Sequence, residues 1–372
     1  MRILHCIPSM GGGGAERHLA CLAAGLIQMG WEVHVALLSG GPNLDRLQAS
    51  GATIHQMSCT NNYDPGIAWQ LRRILHTIRP VLTQTWLPQM DILGGILSLM
   101  SGVPWILSEQ SSELAYPPSI KSRVRALMAR KASAIIANSV SGRMYWQKQI
   151  ADKVPQYVIP NTVPVEEIEQ SIPASLAELG IEPHQRVILY AGRFSPEKNL
   201  DNLLTALWQV IEQTGAVAVL CGDGPLRLDV AQRIQAHGFA GRIMLPGYVP
   251  ALWSWMKRAD VFVLISFFEG RPNTVLEAMA CDLPLVVSDI PAHREILDEH
   301  SALLVNPHEL AAIAAAIMSV LEAPEAAACR AQTARAQMSQ WSIPAIARQY
   351  TQVYQEVLAR HTQSGPTQGR MV

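Results

Sequence analysis

The stretch Val187-Ile188-Leu189-Tyr190-Ala191-Gly192-Arg193-Phe194-Ser195-Pro196-Glu197-Lys198-Asn199 decides how the chain folds. Its first five residues are continuously apolar rather than alternating, which predicts a strand covered on both faces. A glycine then opens a polar loop, and a helix follows. Strand, loop and helix in that order form the unit of a parallel α/β sheet. Downstream the unit recurs at Val217–Cys221, Ile243–Leu245, Val261–Ile265, Leu285–Val287 and Ala302–Val305. Upstream, an earlier series runs through Ile3–Ile7, Glu32–Leu38, Thr53–His55, Val81–Thr85, Trp105–Leu107, Ala134–Ala137 and Tyr157–Ile159. Helical patterns lie between those strands, among them Ala15–Met29, Ile67–Ile78 and Ser119–Lys131.

The two series are separated by the Pro-bounded loop Ile159-Pro160-Asn161-Thr162-Val163-Pro164 and by Val165–Gln185, which is acidic and poor in strand signal. The expected fold is therefore α/β: two Rossmann-like, doubly wound parallel-sheet domains, 1–165 and 166–344, facing a cleft. Ligands of such sheets bind beyond the carboxyl ends of the strands, so the cleft is the expected site. Ala-rich helices run from Glu309 to Leu358, with one at about 345–361 expected to pack back on the first domain. The polar tail Thr362–Val372 is expected to fray.

Length and composition agree. At 372 residues the chain exceeds the roughly 250–300 that one core sustains. Hydrophobic residues reach 49% and charged residues only 16%, against a usual charged share of about 25%, which excludes a disordered chain. A net charge of −1 gives no signal for nucleic acid. The charge is uneven: residues 1–165 hold 14 Lys/Arg against 8 Asp/Glu, leaving 15 against 22 in the remainder. Either the first half meets an anionic surface or the difference is chance surface composition. The six cysteines lack metal-ligand spacing and mostly sit in apolar runs, which fits a reducing, cytoplasmic setting. Met1–Pro8 lacks the long apolar region of a secretory signal. Ile92–Ser108 is too short and too broken for a spanning helix, and reads as a buried helix, a turn and a buried strand.

Several loops carry chemistry. Gly11-Gly12-Gly13-Gly14 follows the first strand and opens a helix. Glycines there permit close approach, and helix N-terminal N–H groups suit an anion; a flexible tight turn is the plainer alternative. A dinucleotide fingerprint fails, because Glu16 and Arg17 stand where a third glycine belongs and Ser39-Gly40 after the second strand supplies no ribose-binding acid. In the second half, Arg193 and Lys198 place a planar fork and a point charge at a strand end, which suits a diphosphate. Otherwise Glu197 and Lys198 begin a solvated helix. Further on, Ser266-Phe267-Phe268-Glu269-Gly270-Arg271-Pro272-Asn273-Thr274-Val275-Leu276-Glu277 leads from a strand into a helix, with carboxylates able to accept sugar hydroxyls; taken alone, a capping role for the two glutamates is the plainer alternative.

In this order, the Gly-rich loop, Gly-Arg-x4-Lys, Gly222-Asp223-Gly224-Pro225 and the Glu, seven residues, Glu motif resemble the retaining family 4 glycosyltransferases of the GT-B fold, over essentially the whole chain. The resemblance implies a nucleoside-diphosphate sugar as co-substrate, UDP-linked by preference, and no cofactor. It gives Arg193 and Lys198 the diphosphate, Glu269 the transferred hexose or N-acetylhexosamine, and Glu277 the ribose. Gly270, Asn273 and Thr274 would meet phosphate or sugar through the backbone, and Gly12, Gly13 and Gly14 would approach the donor from the other domain. Asn161 matches the family's inter-domain Pro-Asn, although Thr162 replaces the usual glycine; Gly247–Leu252 matches the segment that receives the base. No Asp-x-Asp pair occurs, so a metal-independent enzyme is expected.

On the acceptor side, Ser108-Glu109-Gln110-Ser111-Ser112-Glu113 resembles the Ser-Glu-His-Ser-x-Glu segment of members that extend polyprenyl-diphosphate-linked glycans. Gln110 stands at the histidine and cannot take a proton, so the leaving phosphate is the alternative base. Glu109 either orients the acceptor or caps a helix. His18, on the helix after the Gly-rich loop, either touches the donor or is structural, the commoner role of a lone helical histidine. Lys121–Lys131 forms a basic amphipathic helix, suited to an anionic membrane surface or to water alone. The expected acceptor is a glycan, lipid-linked at the inner membrane face. The alternatives are a soluble sugar or metabolite, or a non-catalytic sugar-nucleotide-binding protein.

Overall fold

A computed structural model describes residues 1–61, 64–111 and 119–363. The elements in chain order are β1 (Arg2–Cys6), α1 (Gly14–Gln28), β2 (Glu32–Leu37), α2 (Leu44–Ala49), β3 (Thr53–Gln56), α3 (Gly66–Ile78), β4 (Leu82–Trp86), α4 (Leu87–Met100), β5 (Trp105–Glu109), α5 (Ile120–Ala129), β6 (Ala134–Ala137), α6 (Val140–Ile150) and β7 (Gln156–Val158). There follow α7 (Val165–Gln170), β8 (Val187–Ala191), α8 (Leu200–Thr214), β9 (Val217–Cys221), α9 (Arg227–Ala236), β10 (Ile243–Gly247), α10 (Leu252–Arg258), β11 (Val261–Leu264), α11 (Asn273–Ala280), β12 (Leu285–Ser288), α12 (Pro291–Arg294), β13 (Leu303–Val305), α13 (Leu310–Glu322), α14 (Pro324–Ala336) and α15 (Ile343–Gln363).

The chain divides into two units: Met1–Thr162 with Trp341–Val372, and Val163–Gln340. In the first, seven parallel strands lie in the order β3-β2-β1-β4-β5-β6-β7; in the second, six lie in the order β10-β9-β8-β11-β12-β13. Each sheet reverses its strand order once, beside β1 in one and β8 in the other, as doubly wound sheets do. The central strands β8 and β9 are buried along their whole length, which is why their sequence reads as continuous apolar runs.

In the first unit, α15 lies against α1, where Tyr350 and Tyr354 are fully buried. Their hydroxyls are matched within the fold. Tyr354 donates to Gln84 Oε1, and Gln84 in turn donates to Ser108 Oγ. His18 accepts the Thr162 N–H at Nδ1 (3.0 Å) and lies 3.1 Å from the Tyr350 hydroxyl through Nε2, so it is a structural residue. Among the described residues, no single helix is long and apolar enough to cross a membrane. Of the tail Thr362–Val372, Thr362 and Gln363 close α15 and the rest lies outside the described residues; so do Ser112 and Glu113.

Candidate active site

The reversal of strand order in the second unit lies between β8 and β11. The loops after those two strands carry Arg193, Lys198 and Glu269, so topology brings the two motifs side by side. The Phe267 N–H donates to the Glu197 carbonyl at 2.8 Å, tying one loop to the other. Lys198 Nζ lies 2.6 Å from Glu269 Oε1, and Ser266 Oγ donates to the same oxygen at 2.6 Å. Burial alone would raise the Glu269 carboxyl, but Lys198 and Ser266 overrule it and hold it below its ordinary value.

The loop after β8 is locked from beneath. Gly192 donates to the Cys221 carbonyl and Phe194 to that of Asp223, while the Tyr190 hydroxyl donates to the Arg193 carbonyl at 3.1 Å. Gly222, at φ +134°, leaves no alternative here: a Cβ would sit 1.9 Å from the Gly192 carbonyl oxygen. The Gly222-Asp223-Gly224 turn therefore supports the Arg193 loop by close backbone approach. With its backbone fixed, the Arg193 side chain is exposed and makes no hydrogen bond or ion pair among the described residues. It is a presented cation.

α11 begins beside this pair. No side chain caps its N-terminus and no acidic residue lies in its first turn, so its dipole favours an anion there, although the Asn273 and Val275 N–H groups are taken by the Arg271 and Pro272 carbonyls. Asn273 and Thr274 are its first residues, directly after Gly270, Arg271 and Pro272; Glu277, only 3% exposed, lies one turn in. Cations and N–H groups of this kind suit a diphosphate, and the buried acids suit hydroxyl donors.

Three neighbours were not singled out from sequence. Ser266 holds Glu269. Arg271 is 9% exposed, and burial lowers its guanidinium to about 10 while Glu295 pulls it back up. His293, on α12, is fully buried, with Nδ1 2.7 Å from the Ser288 carbonyl; burial lowers it, Glu269 raises it and Lys198 lowers it. The local signal for these residues is weak, because a serine, an arginine and a histidine in such loops are ordinary until their burial and partners are seen.

The first unit departs from expectation at three places. The Gly12-Gly13-Gly14 loop does open α1, but the Glu16 side chain folds back over it: a Cβ on Gly13 would lie 2.4 Å from Glu16 Oε2. The helix start thus carries its own carboxylate, raised by burial. Glu109, at the end of β5, caps no helix. Its Oε2 pairs with Arg125 Nη1 at 2.9 Å and accepts from Trp146 Nε1 at 3.0 Å, and its Oε1 accepts the Ser111 N–H at 2.9 Å. Arg125, read from sequence as part of a basic surface, is 2% exposed and also pairs with Asp91 at 2.7 Å. Helical periodicity turns it inward, away from Lys121, Arg123, Arg130 and Lys131, which are exposed. Gln110 lies beside Asn138, whose Nδ2 donates to its Oε1 at 3.4 Å. Asn161 is buried one residue before the end of the unit's first segment.

Comparison with known proteins gives the family. Residues 171–337 match the family described as Glycosyl transferases group 1, and residues 12–167 match Glycosyltransferase Family 4. A Bacillus subtilis protein named for teichuronic acid biosynthesis, TuaC, is 26% identical over 60% of this chain; the match spans 57% of its own length, little more than half. The Escherichia coli UDP-Gal:alpha-D-GlcNAc-diphosphoundecaprenol alpha-1,3-galactosyltransferase is 26% identical over 68% of this chain and 69% of its own. Among solved structures, Anabaena HepE in complex with UDP-glucose superposes with a TM-score of 0.83 at 20% identity, covering 96% of this chain and all of that one.

Proposed function

Since the chain belongs to the family 4 glycosyltransferases and has the GT-B fold, we propose that it moves a hexose or N-acetylhexosamine from a UDP-sugar to a lipid-diphosphate-linked glycan, with retention of configuration and without a metal, in cell-surface polysaccharide assembly. The observation that carries this reading is the Lys198–Glu269 pair on adjoining loops, with the exposed Arg193, which makes no side-chain hydrogen bond or ion pair among the described residues, on the same loop as Lys198 and the start of α11 four residues after Glu269. In the reaction the bond from the sugar's anomeric carbon to the β-phosphate oxygen breaks and the bond to the acceptor oxygen forms. The acceptor proton passes to the leaving phosphate on the same face. Arg193, Lys198 and the α11 dipole stabilise the charge growing on that phosphate; Lys198 is held beforehand against Glu269, and Arg193 projects from a loop whose backbone is locked. Glu269 accepts from hydroxyls of the sugar, and Glu277 from those of the ribose. The relative acting on a diphosphoundecaprenol-linked sugar supports the acceptor class.

The outer face of α5 supports an anionic membrane as the place of reaction. Ile120 is 81% and Leu127 62% exposed, interleaved with Lys121, Arg123, Arg130 and Lys131. Apolar side chains among cations fit a lipid headgroup layer, each cation contributing about 1 kcal/mol near an anionic surface.

A nucleotide-sugar panel tests the proposal: UDP-glucose, UDP-galactose, UDP-N-acetylglucosamine, UDP-N-acetylgalactosamine and GDP-mannose, each with a polyprenyl-diphosphate glycan acceptor. Nucleoside-diphosphate release with a UDP-sugar is expected. Absence of release from every donor refutes it.

A further inference from the structure

Glu109 ends a strand whose first three residues are apolar, yet it is fully buried. A buried carboxylate costs several kcal/mol, and an apolar residue of similar volume would stabilise the fold as well or better. Its use therefore lies in where it directs its bonds. One oxygen takes Arg125 from α5 and the Trp146 N–H from α6; the other takes the Ser111 N–H, closing the turn that carries Gln110. Arg125 is held from behind by Asp91 on α4, which accepts the Thr85 hydroxyl at 2.8 Å. The Trp146 ring also lies under the guanidinium, 4.9 Å from its centre.

The turn so fixed presents a matched pair of groups. Gln110 Nε2 and Asn138 Oδ1 are buried and lack hydrogen-bond partners among the described residues. Buried polar atoms are otherwise paired, so each invites an explanation. One is a donor and the other an acceptor, and a sugar hydroxyl, which both donates and accepts, complements the two.

We infer that Arg125 and Trp146 are positioning residues for the acceptor: through the Glu109 carboxylate they hold the Gln110–Ser111 turn so that Gln110 and Asn138 receive an acceptor hydroxyl. The inference rests on the reading of Gln110 as an acceptor-side residue. Neither Arg125 nor Trp146 touches substrate.

Steady-state rates of the full chain, using the sugar nucleotide selected by the panel and a polyprenyl-diphosphate glycan, test it. Trp146→Phe keeps the ring under Arg125 but removes one hydrogen bond to a charged group, and about a tenfold rise in acceptor KM is expected. Donor KM and the Kd for UDP stay within about twofold of wild type. Glu109→Ala raises acceptor KM further; should it not fold, Trp146→Phe carries the test alone. A Trp146→Phe enzyme with unchanged acceptor KM, or with donor and acceptor constants worsened alike, overturns the inference. Gln110→Ala separates the two levels. If it leaves acceptor KM unmoved, the acceptor-side reading fails; if it raises KM while Trp146→Phe does not, only the positioning role fails.

Discussion

Replacing Lys198 by methionine isolates the ion pair at the centre of the site. In the native protein Lys198 Nζ and Glu269 Oε1 are 2.6 Å apart, with side chains 16% and 10% exposed. Two such charges attract by about 4 kcal/mol at 4 Å and an effective dielectric of roughly 20. Removing one partner leaves Glu269 buried with the Ser266 hydroxyl but without its cation, at a cost of about 3–5 kcal/mol at neutral pH. For a unit of this size that lowers Tm by roughly 10 °C. The sign of the pH dependence also changes. Native Glu269 is held below its ordinary value, so its contribution is present above the unfolded carboxyl pKa and is lost as pH falls through the folded one. Without Lys198, burial dominates and the folded value lies above the unfolded one. The penalty then exists at neutral pH and is relieved on acidification. Thermal unfolding followed by circular dichroism at about pH 7.5 and about pH 4.5 reads this directly. The gap between wild type and Lys198→Met should be wide at the higher pH and narrow at the lower, and Lys198→Met/Glu269→Gln should recover most of the loss. An equal gap at both pH values, or a double variant no more stable than the single one, refutes the reasoning.

Gly222→Ala should cost about 3–5 kcal/mol, because strain at φ +134° adds to a clash with the Gly192 carbonyl; denaturant unfolding measures it, and a loss under 1 kcal/mol would contradict the close-approach account. Full transferase rates are expected in excess EDTA, and a strict need for added divalent ion would contradict the phosphate role given to Arg193 and Lys198. Changing Lys121, Arg123, Arg130 and Lys131 to glutamine should weaken sedimentation with phosphatidylglycerol vesicles more than tenfold, since about 1 kcal/mol is lost per cation; unchanged binding would remove the membrane reading.

The framework was legible because parallel strands are buried on both faces and so write themselves as apolar runs; each strand expected from sequence is present, with ends moved by one or two residues. Where a boundary was missed, polarity or backbone hid it. β5 extends through Ser108 and Glu109 because its last polar groups are satisfied inside the fold, which apolarity does not report. α4 starts at Leu87, before the apolar stretch that announced it, with Leu87 itself at φ +69°. Arg125 was misread because a buried ion network looks like surface charge until its partners, 34 residues away at Asp91 and on β5, are known. Arg193, Lys198 and Glu269 were named through the resemblance of their motifs, and the fold sets Lys198 against Glu269; Ser266 and His293 carry no motif of their own and stand out only once burial and partners are known. The glycines before α1 were legible as a helix start, but not the Glu16 carboxylate that folds over them.

Calorimetric titration of UDP into the wild-type protein and into Arg193→Ala, both in EDTA, tests the central claim most directly. The account predicts one UDP bound per chain and a Kd at least tenfold weaker in the variant, with Tm unchanged because the Arg193 side chain is exposed and makes no hydrogen bond or ion pair among the described residues. Equal affinity in the two proteins would contradict it.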